Sequence, residues 1–357
     1  MADLIALPPN STIGILGGGQ LGRMLAIAAA RLGLRCHIFE PGAAPPAGDV
    51  AFAVTTADYD DHDALARFAN SVDVITFEFE NVPAAALDLL EGQAPIRPGR
   101  NALAVSQDRL DEKAYISNLS IAVADHAAVD SLEDLQAAVE RLGDGILKTR
   151  RFGYDGKGQV RIRSGDDLAA AHSSLADAPA ILEALVPFQR EVSVIAARGL
   201  TGEVVCFDPG ENVHRDGILH TTTVSDAVAQ GIRTDAALIA GRILNALDYV
   251  GVMGVEMFVL PGNRLMVNEI APRVHNSGHW TIEACAIDQF QQHIRAVAGW
   301  PLGDGSRHSD AVMTNLIGSD ADAWVEHARS GGLHLYGKAK SRAGRKMGHV
   351  TGISPRS

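Results

Sequence analysis

Cysteine is scarce in this chain: Cys36, Cys206 and Cys285 are three in number, far apart and never in a C-x-x-C pattern. That spacing suits neither a disulfide framework nor a structural zinc site, so reduced, buried, inert thiols are expected. Long apolar runs are missing too. No stretch approaches the roughly 18 uninterrupted apolar residues that a membrane span needs, and the leader from Met1 to Pro9 has no basic start with an apolar core behind it. A cytoplasmic protein with no membrane partner is expected. Positive charge is in deficit, with 31 Lys and Arg against 43 Asp and Glu and a net charge of −12. Such a surface repels a nucleic-acid backbone, so no nucleic acid is expected as partner.

What is present is ordinary globular composition, 46% hydrophobic and 21% charged over 357 residues, enough for two domains and a smaller appendage. The charge is unevenly placed. The last acidic residue is Glu326, and Arg329, Lys338, Lys340, Arg342, Arg345, Lys346 and Arg356 follow it. A basic tail on an acidic protein suggests a local anion site, the alternative being a solvated basic surface.

Along the chain, Thr12 to Leu16 reads as a strand, Gly17-Gly18-Gly19-Gln20-Leu21-Gly22 as a tight turn, and the Ala/Leu/Ile/Met-rich stretch to about Leu32 as a helix. Further strands are expected at Arg35 to Phe39, Val50 to Val54 and Val72 to Phe77, an alternation that implies a parallel sheet with helices on its faces. A Pro/Gly-rich exit at Ala94 to Gly99 leads to a helix expected from about Leu103 to Leu119. From about Ile121 to Ala298 the pattern becomes α+β: a helix at Leu132 to Leu142, then strands at Ile146 to Thr149, Val160 to Arg163, Ile181 to Leu185 and Glu191 to Ala197. Short strands and the basic tail follow.

Three segments carry chemistry. Gly17-x-Gly19-x-x-Gly22 lies between a strand and a helix, with Glu40 ending the next strand. That is the context of a dinucleotide fingerprint, although another phosphorylated ligand or a structural turn fits as well. The second segment runs from Arg150 through Gly153-Tyr154-Asp155-Gly156-Lys157-Gly158-Gln159 between two strands. Its glycines make a flexible flap whose backbone N–H groups can close over phosphates while Lys148 and Lys157 supply charge. It is not a Walker loop, because Gly158 stands where a hydroxyl residue would bind Mg²⁺ and no helix follows. The third is a hairpin, Val252 to Leu260 and Arg264 to Ile270, around Pro261-Gly262-Asn263. With the turn centred between Gly262 and Asn263, Glu256 falls opposite Glu269. Facing carboxylates repel by about 4 kcal/mol at 4 Å and an effective dielectric of 20, which a hard divalent cation between them relieves. Mg²⁺ fits two Glu and the neighbouring Asn268. Behind the hairpin, Arg273, His275, Asn276 and His279 lie on a loop suited to a small oxyanion. A zinc pair at His275 and His279 lacks the accompanying Glu of H-E-x-x-H.

Together these segments resemble the ATP-grasp superfamily, and within it the N5-carboxyaminoimidazole ribonucleotide synthetases of purine biosynthesis. The resemblance rests on GILGGGQLGRM at 14–24, FEFENVP at 77–83, RRFGYDGKGQ at 150–159, HRDGIL at 214–219, NEIAPRVHNSGHWT at 268–281 and GRKMGH at 344–349. It implies an α/β and α+β chain in three parts: an N-terminal Rossmann-like pre-ATP-grasp parallel-sheet domain (1–105), an ATP-grasp domain (106–298, flap subdomain about 121–190) and a small C-terminal β-rich domain (299–357). It also implies a ligase that makes carboxyphosphate from bicarbonate and ATP and passes the carboxyl group to 5-aminoimidazole ribonucleotide. Carried over residue by residue, ATP meets Arg109, Lys148, the flap Gly153 to Gln159, Glu183, Ala184, Leu185, Val186, Glu191, His214, Asn268 and Glu269, and Mg²⁺ sits on Glu256 and Glu269. The ribonucleotide is implied against Gln20, Glu78 and Asn276 with its phosphate near Lys338, Arg345 and Lys346. Bicarbonate is implied near Tyr154, Lys157, Arg273, His275 and Lys338. A homodimer is the family expectation. Lys157 places a point charge where Arg is also used in the family, and the chain stops eight residues after His349, so a closing C-terminal helix is expected to be missing. A formate-using glycinamide ribonucleotide transformylase shares most of these parts and is the competing reading.

Overall fold

The structure, a computed structural model, describes residues 6–153 and 156–357. Strands β1 (Thr12–Leu16), β2 (Arg35–Phe39), β3 (Ala53–Thr55) and β4 (Val74–Phe77) form a parallel sheet in the order β3-β2-β1-β4. The helix Gln20–Arg31 covers it with Leu21, Met24, Leu25, Ala28 and Ala29, the stripe that a 3.6-residue period buries. β3 is shorter than expected because Pro46–Asp49 coils into a 3-10 turn first, with Ala47 accepting the N–H groups of Val50 and Ala51. The helix expected over 103–119 is two helices, Arg100–Ser106 and Arg109–Asn118. The break lies at Asp108, whose extended backbone and side chain cap the second helix by accepting from Leu110 N–H at 3.0 Å.

A second sheet holds β5 (His126–Val129), β6 (Gly145–Thr149), β7 (Gln159–Ile162) and β8 (Ala180–Ala184), antiparallel in the order β5-β8-β6-β7. Leu147 and Leu182, opposite each other in register, point into a core shared with Leu135 and Ala138 of the helix Leu132–Leu142. Alternation therefore turns Lys148 and Glu183 to the other face.

The third sheet is the largest: β9 (Arg190–Arg198), β10 (Val204–Cys206), β11 (Gly210–Arg215), β12 (Ile218–Val224), β13 (Gly251–Leu260), β14 (Arg264–Ala271), β15 (Ser309–Ile317), β16 (Gly332–Leu335) and β17 (Lys346–Pro355). Its order is β14-β13-β9-β11-β12-β15-β17-β16, with β10 on β9, so the strands of the last segment continue it through the β12–β15 pairing. Val192, Val194, Met253, Val255 and Met257 face the helix Gln230–Ala246. The opposite face packs Ile195, Ala197 and Val252 against the helix Gln289–Val297 and the N-terminal unit. By the pairing of β13, β9, β11 and β12, that second face also carries Glu256, Glu191, Ser193, Asn212, His214 and Thr222. No helix among the described residues is long and apolar enough to cross a membrane.

Candidate functional site

The glycine turn opens the helix Gln20–Arg31, but its amides are already engaged. Gly18 N–H donates to Glu40 Oε2 at 2.8 Å and Gly19 N–H to Glu78 Oε1 at 2.7 Å. A Cβ at Gly19 would stand 2.8 Å from Glu78 Oε1, and one at Gly17 2.9 Å. The glycines thus admit a carboxylate of the protein itself. A pyrophosphate would meet Glu40 and Glu78 where it needs free donors, which removes the dinucleotide reading of the motif. Burial raises the Glu78 carboxyl, while the Gly19 amide and the charges of Arg273 and Lys338 pull it back, which places the tail lysine beside this pocket. Gly337 brings that tail close: a Cβ there would lie 3.3 Å from Asp49 Oδ2 and 3.4 Å from Arg23 of the glycine-turn helix.

Between the second and third sheets lies a cationic cleft. Lys148 Nζ is 3.0 Å and Lys113 Nζ 3.6 Å from Glu183 Oε2. Burial pushes the Glu183 carboxyl up, but the two ammonium groups outweigh it and hold it below its ordinary value. Arg109 Nη1 meets Glu269 Oε2 at 2.7 Å. Arg150 and Arg151 at the base of the flap hold Asp108 at 2.8 and 3.3 Å. Two flap glycines are required by conformation. Gly158 has φ +69° and a Cβ there would stand 2.7 Å from Thr149 Oγ1; Gly156, at φ +76°, lies over the β11–β12 turn at Asp216 and Gly217. Gly153 and Gln159 frame the flap; Tyr154 and Asp155 lie outside the described residues.

After β8, Ala184 and Leu185 donate their N–H groups to Asp125 and Asp144 carbonyls, and Val186 O accepts from Phe188 N–H. Glu191 Oε2 is 3.0 Å from His214 Nδ1. Burial alone would depress His214, yet the Glu191 carboxylate, helped by Glu256, raises it, and Lys346 lies near enough to oppose them.

The carboxylate hairpin has the expected pair through an unexpected route. Near the turn, Leu260 faces Arg264 and Met257 faces Val267, one residue out of step with a turn centred between Gly262 and Asn263. A bulge between Glu256 and Met257 takes up Asn268 as the extra residue and brings Glu256 opposite Glu269. Arg109 relieves Glu269, and His275 Nε2, 3.0 Å from Glu256 Oε1, relieves Glu256. Asn268 Oδ1 is buried without a hydrogen-bond partner, and Lys113 Nζ donates to the Asn268 carbonyl. Two carboxylates flanking an orphaned amide oxygen are all-oxygen donors of the kind a hard cation takes, so the residues present fit Mg²⁺.

On the following loop Arg273 Nη2 is 3.0 Å from Glu80 Oε2. Asn276 and Asn315 exchange amide hydrogen bonds at 2.9 and 2.7 Å, and Asn315 Nδ2 also donates to Leu219 O at 2.9 Å. His279 is buried at 3.0 Å from Gln289 Nε2 and against the His349 ring. Among the described residues no three His, Cys, Asp or Glu side chains converge as a metal cluster, so zinc at His275 and His279 has no support. In the tail, Lys338 Nζ donates to Lys346 O at 2.7 Å, and Arg345 Nη1 donates to Lys340 O at 3.0 Å.

Sequence reasoning missed Asp108, Glu112, Lys113, Glu80 and Asn315. A signal existed for Glu112 and Lys113: they precede the buried Ile116 by four and three residues on the helix Arg109–Asn118, so they occupy its core stripe. Burial lifts the Glu112 carboxyl to about 8 against the pull of Lys113. Asn315 gave no signal, since its partner lies 39 positions away.

Residues 10–107 match the model of the ribonucleotide synthetase preATP-grasp domain, 114–290 that of the ATP-grasp domain, and 311–357 that of the phosphoribosylaminoimidazole carboxylase C-terminal domain. The chain is 55% identical to N5-carboxyaminoimidazole ribonucleotide synthase of Brucella melitensis biotype 1, over 99% of each chain. A solved ADP complex of N5-carboxyaminoimidazole ribonucleotide synthetase superposes with a TM-score of 0.94 at 40% identity, over 98% of this chain and 94% of the other. The Aspergillus clavatus N5-carboxyaminoimidazole synthase in complex with ADP and 5-aminoimidazole ribonucleotide does so with a TM-score of 0.90 at 31% identity, over 97% and 94%. The chain belongs to the N5-carboxyaminoimidazole ribonucleotide synthase family of ATP-grasp ligases.

Proposed function

We propose that this chain carboxylates 5-aminoimidazole ribonucleotide with bicarbonate, using ATP and passing through carboxyphosphate, to give N5-carboxyaminoimidazole ribonucleotide for de novo purine biosynthesis. The observation that carries the reading is the double engagement of Glu256, which faces Glu269 across the hairpin and accepts from His275 of the anion loop. The phosphate end and the small-anion end of the cleft thereby share a wall, as transfer of a phosphoryl group to bicarbonate requires. A bicarbonate oxygen attacks the γ-phosphorus and ADP leaves. The exocyclic amine of the ribonucleotide then attacks the carboxyl carbon and inorganic phosphate leaves, with the amine proton passing to the phosphate.

Lys148, Arg109 and the flap from Gly153 to Gln159, with Tyr154, Asp155 and Lys157 in it, hold the nucleotide phosphates. Glu183 to Val186 line the base, with Glu191 and His214 at the ribose. Mg²⁺, held by Glu256, Glu269 and Asn268, neutralises charge on the phosphoryl oxygens when bound. Arg273, His275 and Lys338 hold the bicarbonate-derived anion. Gln20, Glu78 and Asn276 take the ribonucleotide, with Lys338, Arg345 and Lys346 at its phosphate. The units 1–105, 106–298 and 299–357, a homodimeric state and a cytoplasmic location rest on the family resemblance.

The test is ADP release by the purified protein with ATP, Mg²⁺ and bicarbonate, with and without 5-aminoimidazole ribonucleotide, beside Glu269→Gln. Stimulation by the ribonucleotide that disappears in the variant is expected. Turnover with formate and glycinamide ribonucleotide instead would transfer the activity to the formate-using class.

A further inference from the structure

His275 is the end of a hydrogen-bonded chain that crosses the large sheet beneath the site. Its Nδ1 faces two groups of Ser277: the backbone N–H at 3.3 Å and Oγ at 2.8 Å. The backbone N–H cannot rotate, so Nδ1 presents its lone pair and carries no proton. Ser277 Oγ in turn lies 2.6 Å from Ser193 Oγ on β9, which lies 2.9 Å from Asn212 Nδ2 on β11. Asn212 Oδ1 is 2.8 Å from Thr222 Oγ1 on β12. Ser193, Asn212, Thr222 and Ser277 are all buried. With the acceptor fixed at Nδ1, each donor has one place to go: Thr222 to Asn212, Asn212 to Ser193, Ser193 to Ser277, Ser277 to His275. The proton left to the imidazole is on Nε2, donated to Glu256 Oε1 at 3.0 Å.

We propose that His275 works as a neutral hydrogen-bond donor locked in its Nε2–H tautomer by the Ser277 backbone N–H, and that the side chains of Ser277, Ser193, Asn212 and Thr222 are the positioning groups that hold its ring plane. What His275 faces rests on the function proposed above; the lock itself does not. In this state the imidazole offers the site no lone pair. It therefore does not take the proton of the ribonucleotide amine and does not ligate the cation. It orients Glu256 and keeps its N–H toward oxyanions, and the amine proton passes to the departing phosphate. Unidirectional chains of this kind fix tautomer and ring plane, as carboxylate and carbonyl partners do behind metal-bound histidines.

The experiment is two-bond ¹⁵N–¹H correlation on the intact protein labelled with ¹⁵N-histidine, with His275 assigned by its loss in His275→Gln, together with kinetics of Thr222→Val and Thr222→Ser. Thr222 is fully buried, and Val removes its hydroxyl donor. The wild type is expected to show His275 as Nε2–H. Thr222→Val is expected to keep the Nε2–H tautomer, held by the Ser277 backbone N–H, while kcat falls roughly 10- to 100-fold as the ring loses its fixed plane, with the KM for ATP within about twofold. Thr222→Ser is expected to match the wild type in both. A wild-type spectrum with His275 protonated at Nδ1 overturns the proposal whatever the variants do. So does a Thr222→Val protein that binds ATP normally and keeps its kcat. Absence of ribonucleotide-stimulated ADP release in the wild type would instead sink the proposed reaction and leave the tautomer assignment standing on its spectrum.

Discussion

Replacing Glu183 by Gln tests whether the base of the nucleotide cleft is held by one carboxylate between two ammonium groups. Glu183 Oε2 is 3.0 Å from Lys148 Nζ and 3.6 Å from Lys113 Nζ, with side chains 5%, 13% and 1% exposed. Gln keeps the shape and removes the charge. Lys113, whose ammonium group burial already disfavours, loses the carboxylate that most offsets that cost and keeps the Asn268 carbonyl and the weaker pull of Glu112 and Glu269. Breaking a buried pair in this way is expected to destabilise the protein by about 3–5 kcal/mol. Removing the stranded cation as well should reverse much of the loss, so E183Q/K113M is expected to regain about 2 kcal/mol or more over E183Q. Urea unfolding followed by circular dichroism reads both numbers, and ATP titration reads the Lys148 contribution as a raised KM. A loss under about 1 kcal/mol for E183Q, or a double variant as unstable as the sum of its singles, refutes the view that Glu183 is there to offset both lysines.

Acid should destabilise the fold through its buried histidines. His293 is fully buried, accepts from Val252 N–H at 3.0 Å and meets Thr76 Oγ1 at 2.8 Å, and burial lowers its pKa from 6.5 to about 3. Only the unfolded chain takes up this proton between pH 6.5 and 3, so the stabilisation is complete above pH 6.5 and falls as pH drops. The loss at pH 5 is about 2 kcal/mol from His293 alone, with His279 and His349, also lowered by burial, acting in the same direction. Glu112, raised by burial, acts in the opposite direction as pH falls, so the check is the change in unfolding midpoint between pH 7 and pH 5 in the wild type beside His293→Gln; an acid-induced loss undiminished in that variant would contradict this. In the flap, Gly158→Ala forces a side chain into left-handed backbone and against Thr149, a strain of about 1–2 kcal/mol. The KM for ATP is expected to rise roughly tenfold with the unfolding midpoint of the remaining chain little changed; an unaltered KM would show that the flap closes without this turn.

Local pattern made much of this molecule legible. Alternating strand and helix signals gave the parallel N-terminal sheet, because each strand from Thr12–Leu16 to Val74–Phe77 is marked by its own apolar run and its own turn. The flap could be read as strand, loop and strand for the same reason, and the two carboxylates of the hairpin stood out by their equal distance from a point between Gly262 and Asn263. That pairing was right while its stated register was not, since a one-residue offset at the turn is cancelled by the bulge at Asn268. Sequence symmetry cannot distinguish the two, because a bulge is stabilised by what fills it, here the Lys113 contact to the Asn268 carbonyl from a helix 155 positions away.

Other features depended wholly on distant segments. The glycine turn is the same string whether a pyrophosphate or Glu78 occupies it, and only the packing of β4 against β1 brings Glu78 to Gly19. The break between the helices at Asp108 follows from a cap and two arginines of the flap base. Residue types and local periodicity, which act over a turn or a strand, determined the elements, the flap and the acidic hairpin. Tertiary structure alone decided the partners of the buried charges, the occupant of the glycine loop and the hydrogen-bonded chain behind His275, because each is fixed by hydrogen bonds that only the folded sheets bring within reach.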